Sequence, residues 1–209
     1  MKIVKSKKDI LVKDYLKFES FLKNIKEDDI SSNSKILEFS VCLFYNITKK
    51  EFKLLKYNDV IRLNNKIMEI LKQEQPLIKF FRIKGKKYGI IPSFTDMTLA
   101  EYVDCDTDDV IKQICVLYRP VIKHIGKKYS VKQYEADMEM YDYLKNNLTL
   151  DIYFGFIAFF LNISKDLLNY TQNYILNQKG LTVEQRKILQ QNGDGIASSY
   201  NSLIKIYVN

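Results

Sequence analysis

The chain has 209 residues, of which 46% are hydrophobic and 28% charged, with seven Gly, three Pro and a formal net charge of +8. That balance excludes disorder, and so few Gly and Pro favour long helices over a many-turned sheet protein. Residues 1–90 carry 21 basic and 11 acidic side chains and residues 91–209 carry 12 and 14, so a basic N-terminal half precedes a mildly acidic one.

Lys far outnumbers Arg, and solvated helix faces account for most of the charge. The rival reading is a nucleic-acid-binding surface built from Lys5, Lys7, Lys8, Lys84, Lys86 and Lys87. Cys42, Cys105 and Cys115 form no CxxC pair, and an odd, scattered set suits a reducing compartment. The first residues lack a signal-peptide pattern, and the most apolar run, Ile152 to Leu161, falls short of the ~20 residues a membrane helix needs. The expectation is a soluble, intracellular protein with no membrane contact.

In chain order, Ile10, Tyr15, Phe18, Phe21, Leu22 and Ile25 keep helical spacing and predict a helix over 9–25, capped by Asp9. Glu27 to Ser34 is polar and turn-prone. A dense apolar face over Lys35 to Tyr45 predicts a second helix, and Thr48-Lys-Lys-Glu51 reads as a capping box opening a short third one. Asn58 or Asp59 caps a helix to about Lys72, with Val60, Leu63, Ile67, Ile70 and Leu71 inward. Phe80-Phe-Arg-Ile83 and Tyr88-Gly-Ile-Ile91 flank Lys84-Gly-Lys-Lys87, which predicts a β-hairpin.

Asp96-Met-Thr-Leu99 opens a short acidic helix. Asp106 or Thr107 then caps a helix over 108–125, broken at Pro120. Gln133 to Lys145 is helical and polar on one face, and Thr149 to Asn177 is the longest helix, with a break near Asn162 to Ser164. Thr182-Val-Glu-Gln185 offers a further capping box, and Gly193-Asp-Gly195 precedes a last helix. Asp9–Leu16 aligns with Asp96–Val103, and Val41–Tyr45 with Ile114–Tyr118, a hint of duplicated helical units.

Chemistry-bearing constellations are weak. One His and three scattered Cys do not make a metal set, and Asp104-Cys-Asp-Thr-Asp108 fails the calcium-loop pattern at its sixth and twelfth positions, Asp109 and Cys115. Cys115 and His124, nine residues apart on one helix, would point opposite ways. No phosphate loop, dinucleotide fingerprint or nucleophile elbow occurs. The reading is a non-enzyme that uses no cofactor or metal.

The aromatic cluster Tyr153, Phe154, Phe156, Phe159 and Phe160, interleaved with Gly155 and Ala158, reads as a core helix whose small residues admit neighbours; a groove for an apolar partner helix is the alternative. Arg119, just before Pro120, reads as pairing with Glu101, Asp104 or Asp106, with a partner contact as the alternative.

Ile91-Pro-Ser-Phe-Thr-Asp-Met-Thr-Leu-Ala-Glu-Tyr-Val-Asp104, Leu117-Tyr-Arg-Pro-Val121 and Tyr134-Glu135 occur in one order, followed by Leu150, Gly155, Phe159-Phe160, Leu167-Leu168 and Tyr170-Thr171. With the early Tyr15 and Phe18, this order resembles small helical proteins from the structural gene modules of tailed bacteriophages, over roughly residues 9–178. Ala100 stands where that group usually has Gly. Members look like tail assembly chaperones. The resemblance implies a morphogenesis protein that binds other phage structural proteins, the tape measure protein among them, in the host cytoplasm during assembly. A virion subunit (ring, connector or capsid-associated), including a homo-oligomer, is the alternative it leaves.

The expected fold is mainly α, a multi-helix globular protein with one small β-hairpin near residues 79–91. Its regions are a basic helical region (1–76), a hairpin with core helices (77–178) and a helical tail (179–209), packed as one unit. The residues assigned to partner binding are Phe94, Met97, Leu99, Tyr102, Tyr118, Arg119, Phe156 and Phe160, with core packing as the alternative for most.

Overall fold

The computed structural model describes residues 1–25, 32–95, 97–176, 182 and 184. The cap expected at Thr182–Gln185 and the last helix beyond Gly193–Gly195 lie outside the described residues, as does Asp96. The chain divides into two compact units, one of residues 1–71 and 78–153, the other of residues 72–77 and 154 onward.

In the first unit a 3-10 turn, Lys7–Asp9, leads into α1 (Val12–Lys23), then α2 (Ser32–Tyr45), α3 (Lys49–Phe52) and most of α4 (Tyr57–Lys72). Asp9 does not cap α1; its carboxylate accepts from the Lys5 and Ser6 amides and closes the turn before it. Asn46, at φ 51°, ends α2 in the left-handed conformation that Asn tolerates. The Thr48 capping box forms as the sequence implies: Thr48 Oγ1 accepts from the Glu51 amide, and Glu51 accepts from the Thr48 amide at 2.7 Å.

Two strands follow, β1 (Phe80–Ile83) and β2 (Lys86–Ile90), then α5 (Leu99–Cys105) and α6 (Val110–Leu117). Lys84 and Gly85, at φ 46° and 80°, make the tight turn whose twist suits a two-residue hairpin. The cap of α6 is Asp109, whose side chain accepts from the Ile111 and Lys112 amides, rather than Asp106 or Thr107.

The predicted helix over 108–125 is corrected. The chain leaves α6 at Leu117 and becomes β3 (Tyr118–Ile125), which turns at Gly126 into β4 (Lys128–Val131). Pro120 drives the switch. It disfavours helical backbone at Arg119, and the β-branched Val121 and Ile122 then favour a strand. Its missing N–H costs little because it falls at the far end of β4, where the Lys132 amide donates to the Pro120 carbonyl at 2.8 Å. The predicted hairpin therefore exists, but as half of a four-stranded antiparallel sheet in the order β1-β2-β3-β4.

Next come α7 (Met138–Asn147), capped by Asp137, and α8 (Leu150–Leu176), which runs through Asn162–Ser164 without the expected break. An isolated antiparallel bridge, Leu11 to Thr149, ties the start of α1 to that of α8. The core of this unit is built from buried Ile10, Val12, Phe18, Phe44, Ile67, Ile114, Leu117, Tyr118, Leu144 and Leu150.

In the second unit, Gly155 of α8 lies against the Pro76 carbonyl so closely that an added Cβ would collide with its oxygen. This is the close approach that small residues in the aromatic cluster imply. Phe154, Phe156 and Ala158 are buried. Among the described residues no helix is long and apolar enough to cross a membrane.

Candidate functional site

The sheet alternates, so Phe81, Ile83, Tyr88 and Tyr118 face the core while Phe80, Arg82, Lys87, Gly89, Arg119 and Val121 face outward. Phe81 lies 4.9 Å from the Tyr118 ring, consistent with the inward set. Arg119 sits opposite Gly89, and its guanidinium reaches Glu101 of α5 at 2.6 Å.

Glu101 is spoken for on both oxygens. Oε1 takes Arg119, and Oε2 accepts from the Thr98 amide while Thr98 Oγ1 accepts from the Glu101 amide, a complete capping box. The carboxylate is only 3% exposed. Burial alone would raise its pKa, but the Thr98 hydrogen bonds and Arg119 together outweigh burial and hold it below the ordinary carboxylate range. Arg119 Nε, also buried, has no partner among the described residues.

This arrangement turns α5 inside out. The acidic residue faces the protein, and Leu99, Tyr102 and Val103, spaced i, i+3, i+4 on one face, are 79%, 66% and 60% exposed. Phe94, 38% exposed, precedes them in the approach loop, and Met97 is half-buried. Large apolar side chains are thus grouped on the exposed side of a short helix.

The eight residues assigned to partner binding therefore part company. Phe94, Leu99 and Tyr102 are exposed, with Met97 beside them in sequence. Tyr118 is fully buried, and its hydroxyl donates to the Ile78 carbonyl at 2.8 Å, a staple between β3 and the start of the sheet region. Arg119 makes the ion pair that the sequence reading put first for it, with Glu101 as the acid. Phe156 and Phe160 belong to the second unit, with ring centroids 4.7 Å apart and Phe156 buried. Val103 was not singled out, although its spacing from Leu99 could have found it.

Two further features lie on the first unit. A cleft of about 380 Å³ beside α6 and α7 holds Asp104, Asp109, Asp137, Lys112 and Cys115. Its carboxylates are occupied: Tyr134 donates to Asp104 at 2.6 Å and Tyr141 to Asp109 at 2.7 Å. Burial, reinforced by Asp109 and Asp137, pushes the Cys115 thiol up to about 12, which leaves it protonated at neutral pH and a poor nucleophile. His124 is elsewhere, on the sheet beside Phe80, so the two are not a catalytic pair. No group of three or more potential metal ligands occurs among the described residues. A wider groove of about 840 Å³ runs between α1 and the start of α6, floored by Leu16, Phe21, Phe39 and Ile111 and edged by Lys13 and Lys17. Sequence pattern did not reveal it, because its walls come from separate elements.

Compared with models of known families, with characterised proteins and with solved structures, the chain matches none.

Proposed function

We propose that this chain is a non-enzymatic morphogenesis protein of a tailed bacteriophage, acting in the manner of a tail assembly chaperone. It binds an apolar helical segment of a structural protein, the tape measure protein first among them, through the outward face of α5. The assignment to phage assembly rests on the resemblance carried by residues 91–104 and 117–121.

The observation that carries the contact is the exposure of Leu99, Tyr102 and Val103 on a helix whose opposite side is fixed by the Thr98–Glu101–Arg119 network. Anchors at i, i+3 and i+4 match the spacing of a partner helix laid alongside. Burying each of these side chains is worth about 1.5–3 kcal/mol before the cost of association, so the surface suits a reversible, chaperone-like hold.

The test is co-expression with the tape measure protein of the same phage. The wild-type chain keeps that client in a soluble complex, whereas a Leu99→Asp, Tyr102→Asp double variant with unchanged thermal stability does not. Equal retention by the variant, or a client indifferent to the chain, removes the reading. Quantitative mass spectrometry of mature particles and infected-cell lysate separates the chaperone, present in lysate alone, from a virion subunit, present in both.

A further inference from the structure

The outer strands of the sheet, β1 and β4, are not alike. β4 carries the exposed Lys128, and its ladder with β3 is bulged between Val121 and Lys123, devices that discourage further pairing. β1 keeps an unbroken register with β2. That register also says which backbone groups of β1 are free. The Ile90 amide donates to the Lys79 carbonyl at 3.1 Å, so every second pair from there, Phe81–Tyr88 and Ile83–Lys86, exchanges hydrogen bonds across the hairpin. The N–H and C=O of Phe80 and Arg82 therefore point away from β2, and no backbone hydrogen bond among the described residues reaches them.

A cleft of about 430 Å³ is lined by all four residues of β1. Successive strand residues face opposite sides, so a cleft that touches four in a row lies along the strand's edge. The Phe80 ring is turned over Gly89, which leaves its backbone to the cleft. Across from the edge stand Tyr143 and Leu144 of α7, Leu148, and Ile152 of α8, an apolar wall. The charged lining is uneven. Lys8 and Arg82 are exposed, whereas the one acid, Asp151, is 9% exposed, so the charge presented to solvent is positive. The hairpin strengthens that bias, because residues 79–87 hold Lys79, Arg82, Lys84, Lys86 and Lys87 and no acid.

We propose that the β1 edge docks an extended segment of another protein, one that alternates apolar and acidic residues, as a fifth strand of the sheet. Its main chain exchanges hydrogen bonds with Phe80 and Arg82. Its apolar side chains share the face of Phe81 and meet the wall of Tyr143, Leu144, Leu148 and Ile152, and its carboxylates share the outward face of Arg82. A partner helix does not fit this edge, since its backbone groups are already satisfied along its own axis. A second copy of β1 does not fit either, because it would set Lys79, Arg82 and Lys84 against their own kind. The site is separate from the α5 surface and does not rest on the reading given for it.

The experiment is fluorescence anisotropy of the full chain with a labelled, end-blocked peptide of about seven residues in which Glu alternates with Val and Ile, long enough to span β1. Binding should be saturable. An added strand turns only every second N–H toward its neighbour, so N-methylating one alternate set should weaken binding at least about tenfold and the other set less than about threefold. On the protein, Arg82→Pro deletes an N–H that the sheet does not use, a change an edge strand tolerates, and should also cost at least about tenfold. Arg82→Gln keeps that N–H and should cost only about two- to fivefold. Amide exchange followed by NMR reads the same contact without a variant: the peptide should slow Phe80 and Arg82 at least about tenfold and leave Phe81, already bonded to β2, nearly unchanged. Failure to bind overturns the proposal, as does an equal effect of the two methylation sets. Equal binding of a peptide with the same residues in separate apolar and acidic blocks would mean unspecific attraction and overturn it as well.

Discussion

Replacing Glu101 with Ala removes one half of a buried ion pair and leaves the other in place. The Arg119 side chain is 14% exposed and its Nε already lacks a partner among the described residues, so water cannot restore what the carboxylate supplied. Breaking a buried pair from one side costs about 3–5 kcal/mol, most of it the isolated charge. For a chain of this size that corresponds to a fall in Tm of about 6–20 °C. The double variant Glu101→Leu, Arg119→Met removes both charges at similar volume and should recover most of the loss, because an apolar replacement of such a pair is often neutral. Differential scanning calorimetry and urea melts of the three proteins make the comparison. Acid adds a second readout. The folded carboxylate has a depressed pKa, so its stabilisation is present above the unfolded value near 4.3 and is lost as pH falls through the lower folded value. Glu101→Gln should therefore flatten the acid limb of the stability curve below about pH 4.3. A single variant costing under about 1 kcal/mol would refute the reasoning, since that is the range of a solvent-screened surface pair.

Gly155→Ala places a methyl against the Pro76 carbonyl, a backbone group that cannot rotate away; overpacking of about 1–3 kcal/mol should exceed the roughly 1 kcal/mol gained in helix propensity, and a thermal melt at or above wild type would show the contact to be loose. Lys7 is nearly inaccessible, and burial lowers its pKa to about 8 from the usual lysine value. Between about pH 8 and 9.5 the unfolded state then binds more protons at this site, so Lys7 makes stability rise with pH, whereas Cys115, pushed up by burial, acts in the opposite sense. Subtracting the Lys7→Met curve from wild type isolates the lysine: the difference should climb across that window, and a flat difference would mean that Lys7 stays charged in the fold.

Local patterns were legible where one short segment decides the outcome. The Thr48–Glu51 box, the Lys84–Gly85 turn and the helical faces of α1, α2 and α4 all depend on residues within a few positions of one another. The stretch 118–131 was not, and its failure has a definite cause. Ile111, Ile114 and Leu117 keep helical spacing up to the last residue of α6, so the periodicity gives no warning of the change. Only Arg119-Pro120 marks it, and a proline preceded by helix fits a kink as well as a stop. What decides for a strand is the open edge of β2, a partner about 30 residues earlier that no local window contains. The same limit explains the candidate sites. Arg119 could be paired from sequence with an acid of the 101–106 segment, but the choice of Glu101 over Asp104 follows from Tyr134 claiming Asp104. Tyr118 was assigned to partner binding with core packing as the alternative, and its burial depends on Phe81 of β1 and on Ile78 just before it.

The apolar face of α5 is then a consequence of where Arg119 stands. Pro120 puts Arg119 in extended backbone, and the alternation of β3 turns its side chain to the outward side of the sheet, opposite the one residue without a side chain, Gly89. A guanidinium left there would be partly buried and uncompensated, so the nearest carboxylate must come over it. Glu101 can do so only if α5 lies with its third residue toward the sheet, a pose the Thr98 cap fixes by holding the same carboxylate. In a helix of seven residues, fixing position 101 inward fixes 99, 102 and 103 outward. The exposure of Leu99, Tyr102 and Val103 is thus built in by a buried charge pair, which is why it does not relax by rolling the helix over, and why a partner would find these side chains already presented.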